Sequence, residues 1–293
     1  MKIYYCPEYV ASEHDFDTTR KPGWVAASLA ASPIAGVEVV RPEALTSAQI
    51  ELAHDRAYVD AVRTGEPHGL ARSSGLGWCE QAWTMVGHSN GGVVAAVREA
   101  WRNRVNSGSL SCGLHHARRE SGSGFCTFNG LAIAALVALA EGARAVLIVD
   151  VDAHCGGGTH AILRDEARVA LVDVSVSMAD SYEPGPTASL RVVRDARRYL
   201  GAIREGMAAL RGRKFDVCIY NSGMDPHEDC ALGGLDGVTA AMLAEREALV
   251  FGWCHEQGIP MAFTLAGGYT GARLAQEELV GLHRLTIRAA DVK

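Results

Sequence analysis

The run AVLIVDVDAHCGGGTH at 145–160 is apolar and largely β-branched until it gives way to two carboxylates and an imidazole, each two positions from the last. Side chains of a strand alternate with a period of two, so Asp150, Asp152 and His154 fall on one side while the chain stays extended. Two unpaired carboxylates this close raise the pKa of one of them and cost desolvation energy, and a divalent cation offsets both effects. The competing account has Asp150 and Asp152 capping the following turn, with His154 packed beside them. A second apolar run, FDVCIYN at 215–221, leads into SGMDPHEDCALGGLDG and delivers Asp225 ahead of Pro226. An Asp/His/Asp set supplies three protein ligands and leaves a fourth position for water, the arrangement of a catalytic metal site. His227, Glu228 and Asp229 on the same loop read as turn residues.

GLHHARRESGSGFCTFNG at 113–130 carries the adjacent His115 and His116 ahead of a Gly-rich loop. Neighbouring histidines can be a metal site themselves or a chance surface pair. Water at a metal also needs a proton acceptor that later becomes a donor to the leaving group, and imidazole titrates in the right range. The pair fits that requirement better than it fits a fourth ligand. MAFTLAGGYTG at 261–271 is another apolar run, ending in Gly267-Gly268-Tyr269. The glycines allow a tight turn that aims the phenol into a crevice, where Tyr269 could donate to a developing oxyanion. The plainer alternative is a tyrosine that closes a turn.

These residues need elements to carry them. Strand-length apolar runs occur at 2–5, 37–40, 146–152, 169–176, 215–221 and 261–266, and helical patterns cover parts of 89–103, 129–142, 188–210, 237–257 and 271–283. Such alternation predicts an α/β fold, a three-layer arrangement with a central, mostly parallel sheet and helices on both faces. Ligands of such sheets gather beyond the carboxyl ends of the strands, where the runs at 146–152, 215–221 and 261–266 lead to Asp152 and His154, Asp225 and Tyr269.

Composition narrows the class. With 293 residues, 48% of them hydrophobic, and no linker-like stretch, one domain over 1–293 is expected. The longest wholly apolar run, LAIAALVALA at 131–140, is too short to span a membrane, and the N-terminus lacks a basic segment followed by an apolar one. Eight cysteines without a CxxC pair read as reduced thiols of a cytoplasmic protein. A net charge of −6 argues against a nucleic-acid partner, and the basic clusters RVVRDARR at 191–198 and RGRK at 211–214 read as a solvated face on or beside one helix. A homo-oligomer stays open.

With these segments together, the chain resembles the histone deacetylase superfamily, which includes acetylpolyamine amidohydrolases and acetoin-utilisation proteins. AHDRAYVDAV at 53–62 is similar to the family's early His-x-x-x-Tyr-Val segment, HHARRESGSGFC to its double-histidine loop, DVDAHCGGGT to its Asp-x-Asp-x-His signature, SGMDPHEDCALGGL to its third-ligand loop and LAGGY to its tyrosine turn. The resemblance implies an arginase/deacetylase-like domain with about eight strands. It also implies one Zn²⁺ per chain on Asp152, His154 and Asp225, with Fe²⁺ or Co²⁺ as substitutes, and K⁺ near Asp150, Ser175 and Val176. His116 would serve as general base and then acid. His115 would give electrostatic support, oriented by Asp150, and Tyr269 would polarise the acyl carbonyl. Gly124 and Phe125 would line the channel, with Gly267 and Gly268 beside the substrate. The implied reaction is hydrolysis of an N-acyl amide by metal-activated water, with acyl-lysine, acetylpolyamine or a small biosynthetic intermediate as substrate.

The chain departs from the family pattern at three places. Where the family has an Asp or Asn three residues after the ligand histidine, orienting the second catalytic histidine, this chain has Gly157. His116 is therefore expected to lack its usual partner unless Glu120 or Thr159 substitutes. The competing account of Gly157 is a backbone angle that no side chain tolerates, or room for substrate. Cys155 replaces a bulkier residue, and EHDFDTTRKPGW at 13–24 matches the family's early proline-rich stretch poorly. Two other functions stay in view. An arginase- or agmatinase-type ureohydrolase shares an Asp-Ala-His motif, but it needs further aspartates where this chain has Cys155, Gly156, Gly157 and Gly158. A non-catalytic metal-dependent acyl-ligand binder would not need the two histidines and Tyr269.

Overall fold

The computed structural model describes residues 1–12 and 16–291, so Glu13, His14 and Asp15 of the poorly matched stretch lie outside the described residues. Its strands, in chain order, are β1 (Lys2–Tyr4), β2 (Glu38–Val40), β3 (Ser107–Ser109), β4 (Val146–Asp150), β5 (Val169–Ser175), β6 (Ala188–Val192), β7 (Val217–Asn221) and β8 (Met261–Thr264). They form one eight-stranded sheet in the order β2-β1-β3-β8-β7-β4-β5-β6, and every pairing is parallel. The helices are α1 (Asp17–Ala31), α2 (Ser47–Ile50), α3 (Arg56–Thr64), α4 (His68–Ala71), α5 (Glu80–Asn103), α6 (Gly130–Ala140), α7 (Gly157–Leu163), α8 (Tyr199–Ala208), α9 (Ala240–Glu256) and α10 (Gln276–Ala289). Among the described residues no helix is long and apolar enough to cross a membrane.

Strand alternation builds the three layers directly. On β4, Leu147 and Val149 face a core shared with α1, α8, α9 and α10, whereas Val146 and Ile148 face a second core shared with α3, α5, α6 and α7. A parallel sheet covered on both faces needs apolar residues at every position, which is why β4, β5 and β7 read so clearly in the sequence.

Two strands escaped that reading. The strand β3 is Ser-Gly-Ser, and its burial rests on hydroxyl hydrogen bonds in place of apolar area: Ser109 Oγ lies 3.0 Å from Tyr9 Oη and 2.7 Å from Ser111 Oγ. At Gly108 a Cβ would sit 2.2 Å from the Phe263 ring, so only glycine lets the two strands approach. The edge strand β6 is only partly buried, and its residues fall within the helical pattern expected over parts of 188–210; that helix begins at Tyr199 instead. The basic cluster at 191–198 accordingly runs from an edge strand through a short 3₁₀ turn rather than along a helix face. Its charges are partly paired, Arg191 with Glu205 and Arg197 with Asp195.

Candidate active site

The carboxyl ends of β4, β7 and β8 lie side by side, and each gives way to one of the polar segments. The strand β4 stops at Asp150, and the chain then turns, so that Asp152 and His154 reach the site from a loop and not from an extended strand. Ligand atoms of Asp152, His154 and Asp225 all lie within 4.8 Å of one another. His154 Nδ1 sits 3.2 Å from Asp152 Oδ1 and 3.1 Å from Asp225 Oδ2. Burial pulls the His154 pKa down, but the two carboxylates override it and hold the ring up to about 11. Burial and the neighbouring Asp152 push Asp225 up to about 6. Two buried carboxylates and a convergent imidazole are donors that suit a borderline divalent ion, and the residues present fit one.

Glycines make the convergence sterically feasible. A Cβ on Gly267 would fall 2.2 Å from Asp225 Oδ2 and 2.5 Å from Asp152 Oδ2, and its own N–H donates to Asp152 Oδ2 at 2.8 Å. Gly267 thus cradles the carboxylates of Asp152 and Asp225. Gly268, expected beside it at the substrate, is turned the other way, where a Cβ would meet His283 and Leu279 at 2.9 Å. Against the loop that carries Asp225 lies a buried ion pair that no motif signalled. Arg246 Nη2 bonds Glu247 Oε1 at 2.5 Å, and Arg246 Nη1 donates to the Gly223 carbonyl at 2.7 Å.

His115 and His116 approach from the opposite side, their ring centroids 4.0 Å apart. His115 Nδ1 donates to Asp150 Oδ2 at 2.9 Å, while Asp150 Oδ1 accepts from Asn221 Nδ2 at 2.9 Å. The expectation that His116 lacks a partner is overturned. Its Nδ1 lies 2.8 Å from Asp180 Oδ2, and Asp180 belongs to the loop between β5 and β6. Neither proposed substitute makes this contact. Thr159 donates its backbone N–H to the His115 carbonyl at 3.0 Å, and Glu120 is exposed. Cys155 is buried, its thiol 3.2 Å from the Ser177 carbonyl.

The early His-x-x-x-Tyr segment acts on this loop as a clamp. His54 Nδ1 donates to the Arg118 carbonyl at 2.8 Å, its Nε2 accepts from the Asn129 N–H at 2.9 Å, and Tyr58 Oη donates to the Thr127 carbonyl at 2.6 Å. Both ends of the double-histidine loop are thereby fixed to α3 and the turn before it.

His115, His116, Gly124, Asp152, Gly267 and Tyr269 line one cavity of about 10 Å³, roughly the room of one water molecule. Gly124 has φ +52°, and a Cβ there would strike His116 Cδ2 at 2.5 Å. Phe125 stands next to it with its ring stacked on Phe16 at 3.8 Å, and Phe16 lies 5.2 Å from the Tyr269 ring. Phe16 precedes α1 and carried no motif. Burial, then Asp225 and Asp152, push the Tyr269 phenol well above its usual range, so it stays protonated and can donate. Buried Lys21 holds the same turn, donating to the carbonyls of Ala266 at 2.7 Å and Gly268 at 3.1 Å.

At the expected monovalent-ion position, Asp150 is in register with Asp173 on β5, a second buried acid that no motif signals. Ser175 Oγ donates to Asp173 Oδ1 at 2.6 Å, and the Val176 N–H bonds the Ala153 carbonyl at 3.0 Å. Burial and then Asp150 raise Asp173 to about 7. His227, Glu228 and Asp229 are turn residues, as expected: His227 Nδ1 accepts from the Asp229 N–H at 3.3 Å and Glu228 Oε2 from the Gly237 N–H at 2.9 Å.

The histone deacetylase domain matches residues 14–195, and the chain belongs to that family. An uncharacterized protein of Picosynechococcus sp. is 30% identical over 98% of this chain and 97% of its own length, a span that includes Asp225 and Tyr269. Histone deacetylase 2 of Arabidopsis thaliana is 29% identical over 66% of this chain and 52% of its own. The acetoin utilization protein AcuC of Staphylococcus aureus is 30% identical over 50% of this chain and 40% of its own. Among solved structures, the HDA15 HD domain superposes with a TM-score of 0.81 at 20% identity, covering 100% of this chain and 91% of that one. An acetylpolyamine aminohydrolase from Burkholderia pseudomallei gives 0.77 at 17% identity, covering 99% and 98%. The eight-stranded parallel sheet is the fold of these proteins.

Proposed function

We propose that the chain is an amidohydrolase that removes an acyl group, acetyl in the first instance, from an N-acylated amine. The observation that carries this reading is the convergence of His116, Tyr269 and Asp152 on one water-sized cavity. Asp152, His154 and Asp225 would hold a single Zn²⁺, with Fe²⁺ or Co²⁺ as functional substitutes, and such an ion would supply a Lewis acid for the acyl carbonyl and a lowered pKa for water.

The chain's own residues do the rest. Burial, then the charge on His115, lowers the pKa of His116, so its ring is neutral near pH 7 and its Nε2 can take a proton from the attacking water. Tyr269 Oη donates to the carbonyl oxygen as it becomes an oxyanion. His115 is pulled down by burial but held up to about 10 by Asp150 and Asp152, so it remains an imidazolium beside the developing charge. When the C–N bond breaks, His116 returns the proton to the departing amine, and the acyl carbon leaves as a carboxylate. Gly124 and Phe125 would flank the acyl chain. K⁺ beside Asp150, Ser175 and Val176 would offset the charge of Asp150 and Asp173. The eight free cysteines suit a reducing cytoplasm.

The deciding experiment is a panel of N-acetyl and longer N-acyl substrates, covering acyl-lysine peptides, acetylpolyamines and small acylated amines, assayed with Zn²⁺-loaded protein. Release of free amine with about one metal per chain is expected. Two Mn²⁺ per chain with urea released from a guanidino substrate would favour the ureohydrolase, and binding without turnover would favour the acyl-ligand binder.

A further inference from the structure

The glycine at 157 and the acid at 180 are two halves of one arrangement. A Cβ built on Gly157 would lie 2.3 Å from the Asp180 carbonyl oxygen and 2.5 Å from Asp180 Oδ1. Gly157 is not among the residues with positive φ, so the glycine is there for space and not for a backbone angle. That space is filled by Asp180, not by substrate. Asp180 itself has φ +59°, the left-handed region that costs an ordinary L-residue about 1 kcal/mol and in which glycine and Asx residues are found. In this conformation its carboxylate reaches back over the start of α7.

Three donors meet that carboxylate. His116 Nδ1 is at 2.8 Å and the Gly158 N–H at 3.2 Å, both on Oδ2, while Oδ1 pairs with Arg118. Arg118 also donates through Nη1 to the Gly157 carbonyl at 3.2 Å, which ties the loop to the helix it overlies. An ionised carboxylate only accepts, so the nitrogen of His116 that faces it must carry the proton, which leaves Nε2 as the acceptor toward the cavity.

We propose that Asp180 is the positioning residue of His116, supplied from the β5–β6 loop, and that Gly157 exists in this chain because Asp180 occupies the volume a side chain there would need. The inference deepens the amidohydrolase reading and rests on it only where turnover is measured. Asp180 touches no substrate; it acts through the tautomer and orientation of His116. The arrangement moves the carboxylate from the helix that follows the metal loop to a separate loop, so the two positions are exchangeable only as a pair.

The test uses two variants on different elements. Asp180→Gly removes the carboxylate while easing the positive φ, so the loop is expected to keep its path. Gly157→Ala leaves the carboxylate in place but pushes it off His116. Both are expected to lower kcat by about 10- to 100-fold, the usual cost of losing such a partner, with KM within about threefold and metal content unchanged. Long-range ¹H–¹⁵N spectra of the imidazoles, recorded without substrate, are expected to show His116 in a single Nδ1–H tautomer in the parent chain and a mixture in both variants. Those spectra read positioning whether or not any amide is cleaved. A parent chain that hydrolyses no acyl amine would defeat the functional reading alone, whereas an unchanged His116 tautomer in folded Asp180→Gly protein, or unchanged kcat in an active enzyme, would overturn the role of Asp180.

Discussion

Two imidazole–carboxylate pairs stand side by side in this site with nearly equal contacts, 2.9 Å for His115–Asp150 and 2.8 Å for His116–Asp180, yet their proton affinities are shifted in opposite directions, His115 up and His116 down. The difference lies behind the carboxylates. Asp150 is fully buried at a strand end, and its other oxygen accepts from Asn221 and from the Asp152 N–H. Among the described residues no Arg or Lys is paired with it, so His115 supplies the positive charge and holds its proton up to about 10. Asp180 sits on a loop with Arg118 already on its second oxygen. Burial and the neighbouring His115 cation then prevail, and His116 is lowered. In the proposed mechanism one pair would thereby be a fixed cation and the other a proton acceptor, a division of labour set by surroundings and not by residue type.

The largest expected effect separates the pairs by function. His116→Ala is expected to lower kcat by 10²-fold or more with metal content and melting temperature nearly unchanged, because general acid–base catalysis is worth about 10²–10⁴-fold. His115→Ala is expected to lower the melting temperature as well, since it strips the cation from Asp150 and Asp152 inside the fold. Loss of metal in His116→Ala would make that residue a ligand and collapse the comparison.

A smaller effect concerns the clamp that holds both rings. His54 is 1% exposed, and burial, the largest influence, lowers its pKa from 6.5 to about 4, so the folded chain keeps it neutral. Between those values the unfolded chain binds the extra proton. The stabilisation is therefore complete above about pH 6.5 and is lost as pH falls through 4, for a total on the order of 3 kcal/mol. Melts at pH 7.5 and 5 should show a larger drop for the parent than for His54→Gln, and equal drops would count against a neutral buried clamp.

How much of this was legible in the sequence follows from what each part is made of. The strands that read clearly are those buried on both faces, and the candidate ligands Asp152, His154 and Asp225 stood out because acids and imidazoles ending such strands have few other uses. Asp173 was visible in principle, since VDVS repeats the two-residue spacing of DVDAH, but the acid sits inside an apolar strand in register with Asp150, and only the sheet pairing shows that the two carboxylates are neighbours. The strand β3 could not be seen, because its burial is paid for by serine hydroxyls and by a glycine under Phe263. Asp180 was hidden for a different reason. It lies in MADSYEPG, a stretch with every mark of an ordinary loop, and its meaning appears only when the chain folds it over Gly157. Sequence located the missing side chain correctly but could not show that another loop fills the gap.

The last expectation asks whether one pair can be made to behave like the other. Arg118 is about one-third exposed, so its influence is partly screened, and Arg118→Met is expected to change kcat by less than tenfold at pH 8. What it removes is the cation on Asp180, which leaves His116 facing a carboxylate without its guanidinium partner, as Asp150 is. The His116 pKa should rise. A proton acceptor works only when neutral, so a raised pKa moves the acid limb of kcat/KM to higher pH, and activity at pH 6 should fall relative to activity at pH 8. Loss of the bond from Arg118 to the Gly157 carbonyl could also loosen the loop, and that would lower activity equally at every pH. The shape of the profile therefore tells the two apart. An acid limb that stays in place, or moves to lower pH, would mean that Arg118 does not set the charge state of His116 and that the contrast between the two pairs has another origin.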